Sequence, residues 1–203
     1  MISIVDYGLG NVRAFVTIYR HLNMEVRLVR TAEELAGTDK IILPGVGAFD
    51  HAMRKLDESG MRTALERCVM EDGVPILGIC VGMQMLARRS DEGERAGLGW
   101  VDAEVRRFDH SWFTHSTHLP HMGWNAVNTK VESKLFGGLH PSEFYFLHSY
   151  YIDPVHDDDV LAEAEYGNTF CCAVQSKNVF GVQFHPEKSH HWGIQLLKNF
   201  GAV

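Results

Sequence analysis

An α/β fold is what the sequence predicts: a mostly parallel sheet with helices on both faces, continued by a β-rich second half. Three observations predict it. Up to Leu86, short apolar runs alternate with stretches whose apolar residues recur at spacings of three and four, the order that builds a parallel sheet with crossover helices. Three of the four apolar runs pass directly into glycine-bearing turns, the punctuation expected of βα loops. After Leu86 the period changes to two: Val101, Ala103 and Val105 alternate with Asp102, Glu104 and Arg106, the pattern of a half-exposed strand.

Each element follows from its residues. Ile2–Val5 is a short apolar strand running into Asp6-Tyr7-Gly8-Leu9-Gly10-Asn11. Asn11 is placed to cap a helix whose apolar face is Val12, Phe15, Val16, Tyr19 and Leu22. Val26–Val29 reads as a second strand, and Thr31 with Glu34 forms a capping box for a short helix. Lys40–Leu43 is a third strand, closed by Pro44-Gly45-Val46-Gly47. One helix then turns Phe49, Ala52, Met53 and Leu56 to a single face, and another runs through Met61, Ala64, Leu65 and Cys68. Val74–Ile79 is the fourth strand. In a sheet of this order, active groups collect at the carboxyl ends of the strands. Ser90–Gly99 is polar and glycine-rich, a surface loop. Further short strands fit Met122–Val127, Phe144–Ile152, Val160–Tyr166, Phe170–Gln175 and Val179–Phe184. A last helix carries Trp192, Leu196, Leu197 and Phe200 on its apolar face. No linker, repeat or low-complexity tract interrupts the chain, so residues 1–203 are expected to form one domain.

Composition narrows the function. A formal net charge of -7 leaves no basic stripe, which argues against nucleic acid or an anionic membrane as partner. A hydrophobic content of 45% with 22% charged residues is that of an ordinary globular protein. The cysteines at 68, 80, 171 and 172 lack metal-binding spacing, and the adjacent pair suits neither a disulfide nor a clamp. The amino terminus enters a strand without a basic segment and a long apolar one, so a reducing, cytoplasmic location is expected.

The chemistry concentrates in two strings. In Val74-Pro75-Ile76-Leu77-Gly78-Ile79-Cys80-Val81-Gly82-Met83-Gln84 an apolar run strikes a cysteine with a glycine two residues to either side. That is the spacing of a nucleophile elbow, a sharp strand-to-helix turn. A Cβ at either glycine would collide with backbone once the central residue takes its strained conformation. The turn lifts the Cys80 sulfur to the strand's carboxyl end, over a helix N-terminus whose dipole favours thiolate. In Gly181-Val182-Gln183-Phe184-His185-Pro186-Glu187, proline holds His185 extended, so Glu187 at i+2 points to the same side. A histidine oriented by a carboxylate is the base a cysteine nucleophile needs. The glycines of Pro44-Gly45-Val46-Gly47 can turn backbone N–H groups toward an oxyanion, beside that of Val81.

Each string alone also fits a plainer reading: a buried structural cysteine, a surface histidine, a simple β-turn. Co-occurrence at the ends of one sheet is what favours catalysis. Gly8-Leu9-Gly10 follows a strand as a dinucleotide loop would, but Arg13 stands where a third glycine belongs, so it reads as a turn and helix cap. No cofactor is expected. His110, His115, His118 and His121 crowd one loop-like segment, and without fixed spacing or carboxylate help they read as surface residues rather than a metal site.

Together the Cys80 elbow, Pro44-Gly45-Val46-Gly47 and His185-Pro186-Glu187 resemble the class I (triad) glutamine amidotransferases, whose fold is a flavodoxin-like three-layer α/β arrangement. Asp6–Asn11, Pro120-His121-Met122-Gly123-Trp124-Asn125, Phe144–Tyr150 and Leu196–Phe200 are similar to the glutaminase subunits of imidazole glycerol phosphate synthases, over nearly the whole chain. The resemblance implies that Cys80 attacks the carboxamide of glutamine, His185 shuttles protons and Glu187 orients it. Val81 and Gly45, Val46 and Gly47 would serve the oxyanion, while Gly47, Gln84, Ser149 and Tyr150 would hold the substrate. The ammonia would pass by a shielded route to a separate (β/α)₈-barrel cyclase subunit, met through Trp124, Tyr145 and Lys188. Lys188-Ser189-His190-His191-Trp192-Gly193, Gly97-Leu98-Gly99-Trp100 and Arg107-Phe108-Asp109 are similar to a paralogous branch that feeds ammonia to surface-sugar amidation. Outside this family, a cysteine peptidase could use such an elbow, and an inactive binding module could keep the fold.

Overall fold

A computed structural model describes residues 1–113 and 118–203. Its framework is a nine-stranded mixed sheet of order β2-β1-β3-β4-β12-β11-β10-β7-β8. The first five are parallel: β2 (Val26–Val29), β1 (Ile2–Val5), β3 (Lys40–Gly45), β4 (Ile76–Cys80) and β12 (Val179–Val182). The β-rich half extends it antiparallel through β11 (Asn168–Ser176), β10 (Val160–Tyr166), β7 (His121–Thr129) and β8 (Ser142–His148). Every residue of β1 and β4 is buried, as unbroken apolar runs covered on both faces require.

Helices supply those covers. Phe180 of β12 packs on Phe200 of α5 (His190–Ala202), their ring centroids 6.1 Å apart. A Cβ on the next residue, Gly181, would meet Met83 of α4 (Val81–Gln84) at 2.4 Å. Successive strand residues point to opposite faces, so α5 and α4 lie on opposite sides of the sheet. α1 (Val12–His21) joins α5, with the Tyr19 hydroxyl donating to the Leu197 carbonyl at 3.1 Å. α2 (Phe49–Glu58) packs beside α4, burying the Phe49, Ala52, Met53 and Leu56 face read from their spacing.

Several elements differ from expectation in instructive ways. Asn11 occupies the cap position of α1 without a side-chain capping bond. Thr31 does accept from the Glu34 N–H, at 3.4 Å, but Glu34 reaches back to the Arg30 N–H and only a three-residue 3-10 turn follows. α3 ends at Glu66 (Arg62–Glu66) and widens into an i→i+5 turn over Arg67–Glu71, so Cys68 leaves the helical face. The run Phe144–Ile152 is two strands. At Ser149 the chain leaves the large sheet and enters β9 (Tyr150–Pro154), which pairs with β6 (Ala103–Arg107), itself paired with β5 (Arg89–Ser90), in a separate three-stranded sheet. That change of sheet carries Ser149 and Tyr150 past the carboxyl end of β4. Among the described residues no helix is long and apolar enough to cross a membrane.

Candidate active site

Cys80 ends β4 with φ 55° and ψ -115°, a region that non-glycine residues enter only where packing imposes it. The flanking glycines make the turn fit. A Cβ on Gly78 would lie 2.6 Å from the Gly82 carbonyl oxygen, and one on Gly82 would lie 2.0 Å from that of Leu43. The helix beyond is a single turn, Val81–Gln84. The expected helix-dipole support for the thiolate is therefore small, and the sulfur depends on side chains instead.

His185 supplies one of them. Its Nδ1 meets Glu187 Oε1 at 3.0 Å, and both side chains are about 95% buried. The second carboxylate oxygen, Oε2, is buried without a hydrogen-bond partner among the described residues, so the imidazolium is the positive charge that balances it. Burial pulls the His185 pKa down, but the neighbouring Cys80 sulfur and the Glu187 carboxylate outweigh it and push the value up to about 10. At neutral pH the ring is an imidazolium beside the sulfur.

The oxyanion candidates sit where strand register puts them. Pro44 and Gly45 pair with Ile79 and Cys80. The Tyr7 hydroxyl donates to the Pro44 carbonyl at 2.8 Å, and a Cβ on Gly45 would stand 2.4 Å from the Gly82 nitrogen. The loop is thus pinned up to Gly45, whereas Val46 is 40% exposed and Gly47 has φ 85° in open space. Rotation is left to the peptides that follow Gly45.

Cys80, Val81, His185, Gly47, Val46, Gln84, Ser149 and Tyr150 line one cavity of about 360 Å³, with Lys188 at its wall. Gln84 is buried and donates from Nε2 to the Tyr150 carbonyl at 3.2 Å and to Gln183 Oε1 at 3.0 Å. Both its N–H bonds are engaged, which leaves Oε1 to face a ligand. Trp124 and Tyr145 pair across β7 and β8 on the neighbouring surface, and Lys188 Nζ stands 5.6 Å from the centre of the Tyr145 ring. A larger recess of about 750 Å³ between Thr129 and His140 contains no cysteine and none of these residues.

Residues without an assigned role also line the cavity. Glu92 comes from the loop read only as polar surface. Its Oε2 accepts the Phe49 N–H at 2.8 Å, and Asp50 clamps the same loop through the N–H groups of Glu94 and Arg95, both at 3.0 Å. His148 lies in the wall, and His121, expected at the surface, is buried. The Tyr150 carbonyl only accepts, so His148 Nδ1 donates to it at 2.8 Å. His148 Nε2 then accepts from His121 Nδ1 at 2.9 Å. Desolvation holds both rings neutral, at pKa values of about 3 for His148 and about 4 for His121. A stacked contact with Tyr166, 4.0 Å between centroids, buries His121; spacing in the sequence carries no sign of it. His110, His118, His190 and His191 are exposed, and His115 lies outside the described residues.

A strained cysteine at a parallel strand end, with a carboxylate-oriented histidine across one cavity, is the arrangement that triad hydrolases use. Residues 3–202 match the glutamine amidotransferase class-I family, and the chain belongs to it. The imidazole glycerol phosphate synthase subunit HisH of Bdellovibrio bacteriovorus is 58% identical, covering all of both chains. The subunit of the same name from Leptospira interrogans is 48% identical, again over all of both. Among solved structures, a glutamine amidotransferase superposes with a TM-score of 0.76 at 20% identity, over 100% of this chain and 99% of the other. A glutamine amidotransferase from Thermotoga maritima gives 0.63 at 18% identity, over 92% and 75%. At these identities the two structures establish the fold alone.

Proposed function

We propose that the chain is the glutaminase subunit of an imidazole glycerol phosphate synthase. It hydrolyses glutamine to glutamate and ammonia, and a (β/α)₈-barrel cyclase partner uses the ammonia to make imidazole glycerol phosphate and AICAR in histidine biosynthesis. The observation that carries the reading is the convergence of Cys80 and His185 on one cavity, with Glu187 on the far nitrogen of the His185 ring; the full-length likeness to subunits of that name supports the pathway.

The Cys80 thiolate adds to the carboxamide carbon, and the carbonyl oxygen gathers charge facing N–H groups of Val81 and the Gly45–Gly47 loop. The imidazolium of His185 gives its proton to the nitrogen, the C–N bond breaks and ammonia leaves a thioester. Water then attacks, His185 takes its proton, the C–S bond breaks and glutamate departs. Glu187 holds the ring and balances its charge throughout. The Glu92 carboxylate matches the substrate's ammonium group, and Gln84 Oε1 and the backbone at Gly47, Ser149 and Tyr150 complete the cradle.

Support for a partner comes from the mouth of the site. Met122 (66% exposed), Trp124, Leu147 and Val46 leave large apolar side chains in solvent beside Tyr145 and Lys188, more than a free surface needs in one place. A single domain over residues 1–203 belongs to the same reading, supported by one core cluster that takes in residues from Ile2 to Phe200. A cytoplasmic location belongs to the same reading, supported by four free cysteines.

The test is glutamate release from glutamine by the purified chain, alone and with barrel subunits from histidine and surface-sugar pathways. Expected are slow hydrolysis alone, strong stimulation by the acceptor-loaded histidine-pathway barrel, and none with Cys80→Ala. Stimulation only by the surface-sugar barrel would move the chain to that pathway, and peptide cleavage without glutaminase activity would overturn the assignment.

A further inference from the structure

A carbonyl oxygen only accepts hydrogen bonds, and the Tyr150 carbonyl therefore sets the direction of the network beneath the cavity. Gln84 turns its Nε2 toward that oxygen, and its second N–H goes to Gln183 Oε1. With its oxygen accepting, Gln183 offers only Nε2–H in the other direction, and that group stands 3.7 Å from Cys80 Sγ. Gln183 is fully buried, so water does not compete for its orientation. Besides His185, the sulfur also stands 4.0 Å from the Leu147 carbonyl, which can receive only the proton of a thiol. Leu147 thus suits the protonated sulfur, and Gln183 the deprotonated one.

Local geometry explains how one segment reaches the sulfur twice. β12 ends at Val182 and the chain bends at Gln183 and Phe184 before the extended His185, so the turn brings Gln183 and His185 to the same sulfur. Phe184 between them turns away and stacks on Phe144, ring centroids 3.9 Å apart.

We propose that Gln183 is a further catalytic residue: its side-chain N–H, aimed by Gln84 and the Tyr150 carbonyl, hydrogen-bonds the Cys80 thiolate and stabilises it alongside His185. The inference rests on Cys80 being the nucleophile of the glutaminase reaction.

The experiment is alkylation of Cys80 by iodoacetamide across pH in the full chain, read by mass spectrometry of the Cys80 peptide. Gln183→Met keeps volume and removes the donor, so the apparent thiol pKa should rise by about one unit, the worth of a hydrogen bond to a charged group. Gln183→Glu sets a carboxylate against the sulfur and should raise it further. A packing role would lower the melting temperature and leave the alkylation profile in place. An unmoved or lowered profile in both variants overturns the proposal. Should neither variant fold, the Gln183 Nε2–H resonances of ¹⁵N-labelled wild type must shift as Cys80 titrates, and fixed resonances overturn it equally. Wild type that fails to hydrolyse glutamine with any barrel would count against the glutaminase reading instead, a failure the alkylation profile does not share.

Discussion

The sulfur of Cys80 is a buried charge whenever it is a thiolate, and buried charges persist only when paired and hydrogen-bonded. Here the pairing falls to His185, whose pKa of about 10 lies well above its ordinary 6.5. A raised value means that the folded state keeps a proton the unfolded state releases. The stability it contributes is complete below about pH 6.5 and is lost as pH climbs through about 10. Glu187→Gln retains shape and removes one of the two anions that hold the proton. Its His185 value should drop in an NMR titration, and turnover should fall roughly 10²–10⁴-fold with the fold intact. Turnover equal to wild type would remove Glu187 from the site's chemistry.

At the scale of elements, the junction of β3, β4 and α4 works because backbone replaces side chain. Gly45, Gly78 and Gly82 each stand where a Cβ would meet backbone atoms at 2.0–2.6 Å. These atoms belong to neighbouring strands and the next turn, which cannot shift independently of the sheet. Gly82→Ala should destabilise the chain by about 1–3 kcal/mol, the usual cost of overpacking. Because the strain falls on the turn that holds Cys80, glutaminase activity should be lost at temperatures where the variant is still folded. Denaturant unfolding with a parallel activity assay separates the two losses; an unaltered midpoint would show the junction to be softer than its distances imply.

For the molecule as a whole, Cys80 and His185 are buried at the carboxyl end of the parallel strands, below exposed apolar side chains from β7 and β8. A docked barrel would cover that surface and bear on the loop after Gly45, where Val46 is exposed and Gly47 stands in open space. Coupling between docking and oxyanion formation follows if only one conformer of that loop suits both. Lys188 spans the two regions, lining the cavity while its Nζ lies over Tyr145. Lys188→Ala should reduce barrel stimulation by several-fold, in line with about 0.5–2 kcal/mol for a cation–π contact, and reduce the unstimulated rate less. Equal losses in both rates would assign Lys188 to the cavity alone.

Local requirements are legible in the chain without its fold. The glycines around Cys80 announce the elbow because their requirement is steric and acts within a few residues. His185 and Glu187 are read together because proline holds His185 extended, as the structure has it, but their contact forms through a 3-10 turn over Pro186–Lys188 rather than a continued strand, and Gln183 enters at a bend that no spacing announces. Apolar spacing likewise places the parallel strands and the helices that bury Phe49, Leu56 and Phe200. Meetings across long separations were settled only when the sheets assembled. The break at Ser149, which swings Tyr150 into a second sheet, follows from pairing with Ala103–Arg107, not from any turn signal. The burial of His121 depends on Tyr166, and the arrival of Glu92 at the cavity on Phe49 and Asp50. Such contacts arise from strand order and register, which pair residues tens of positions apart and leave no period in the chain.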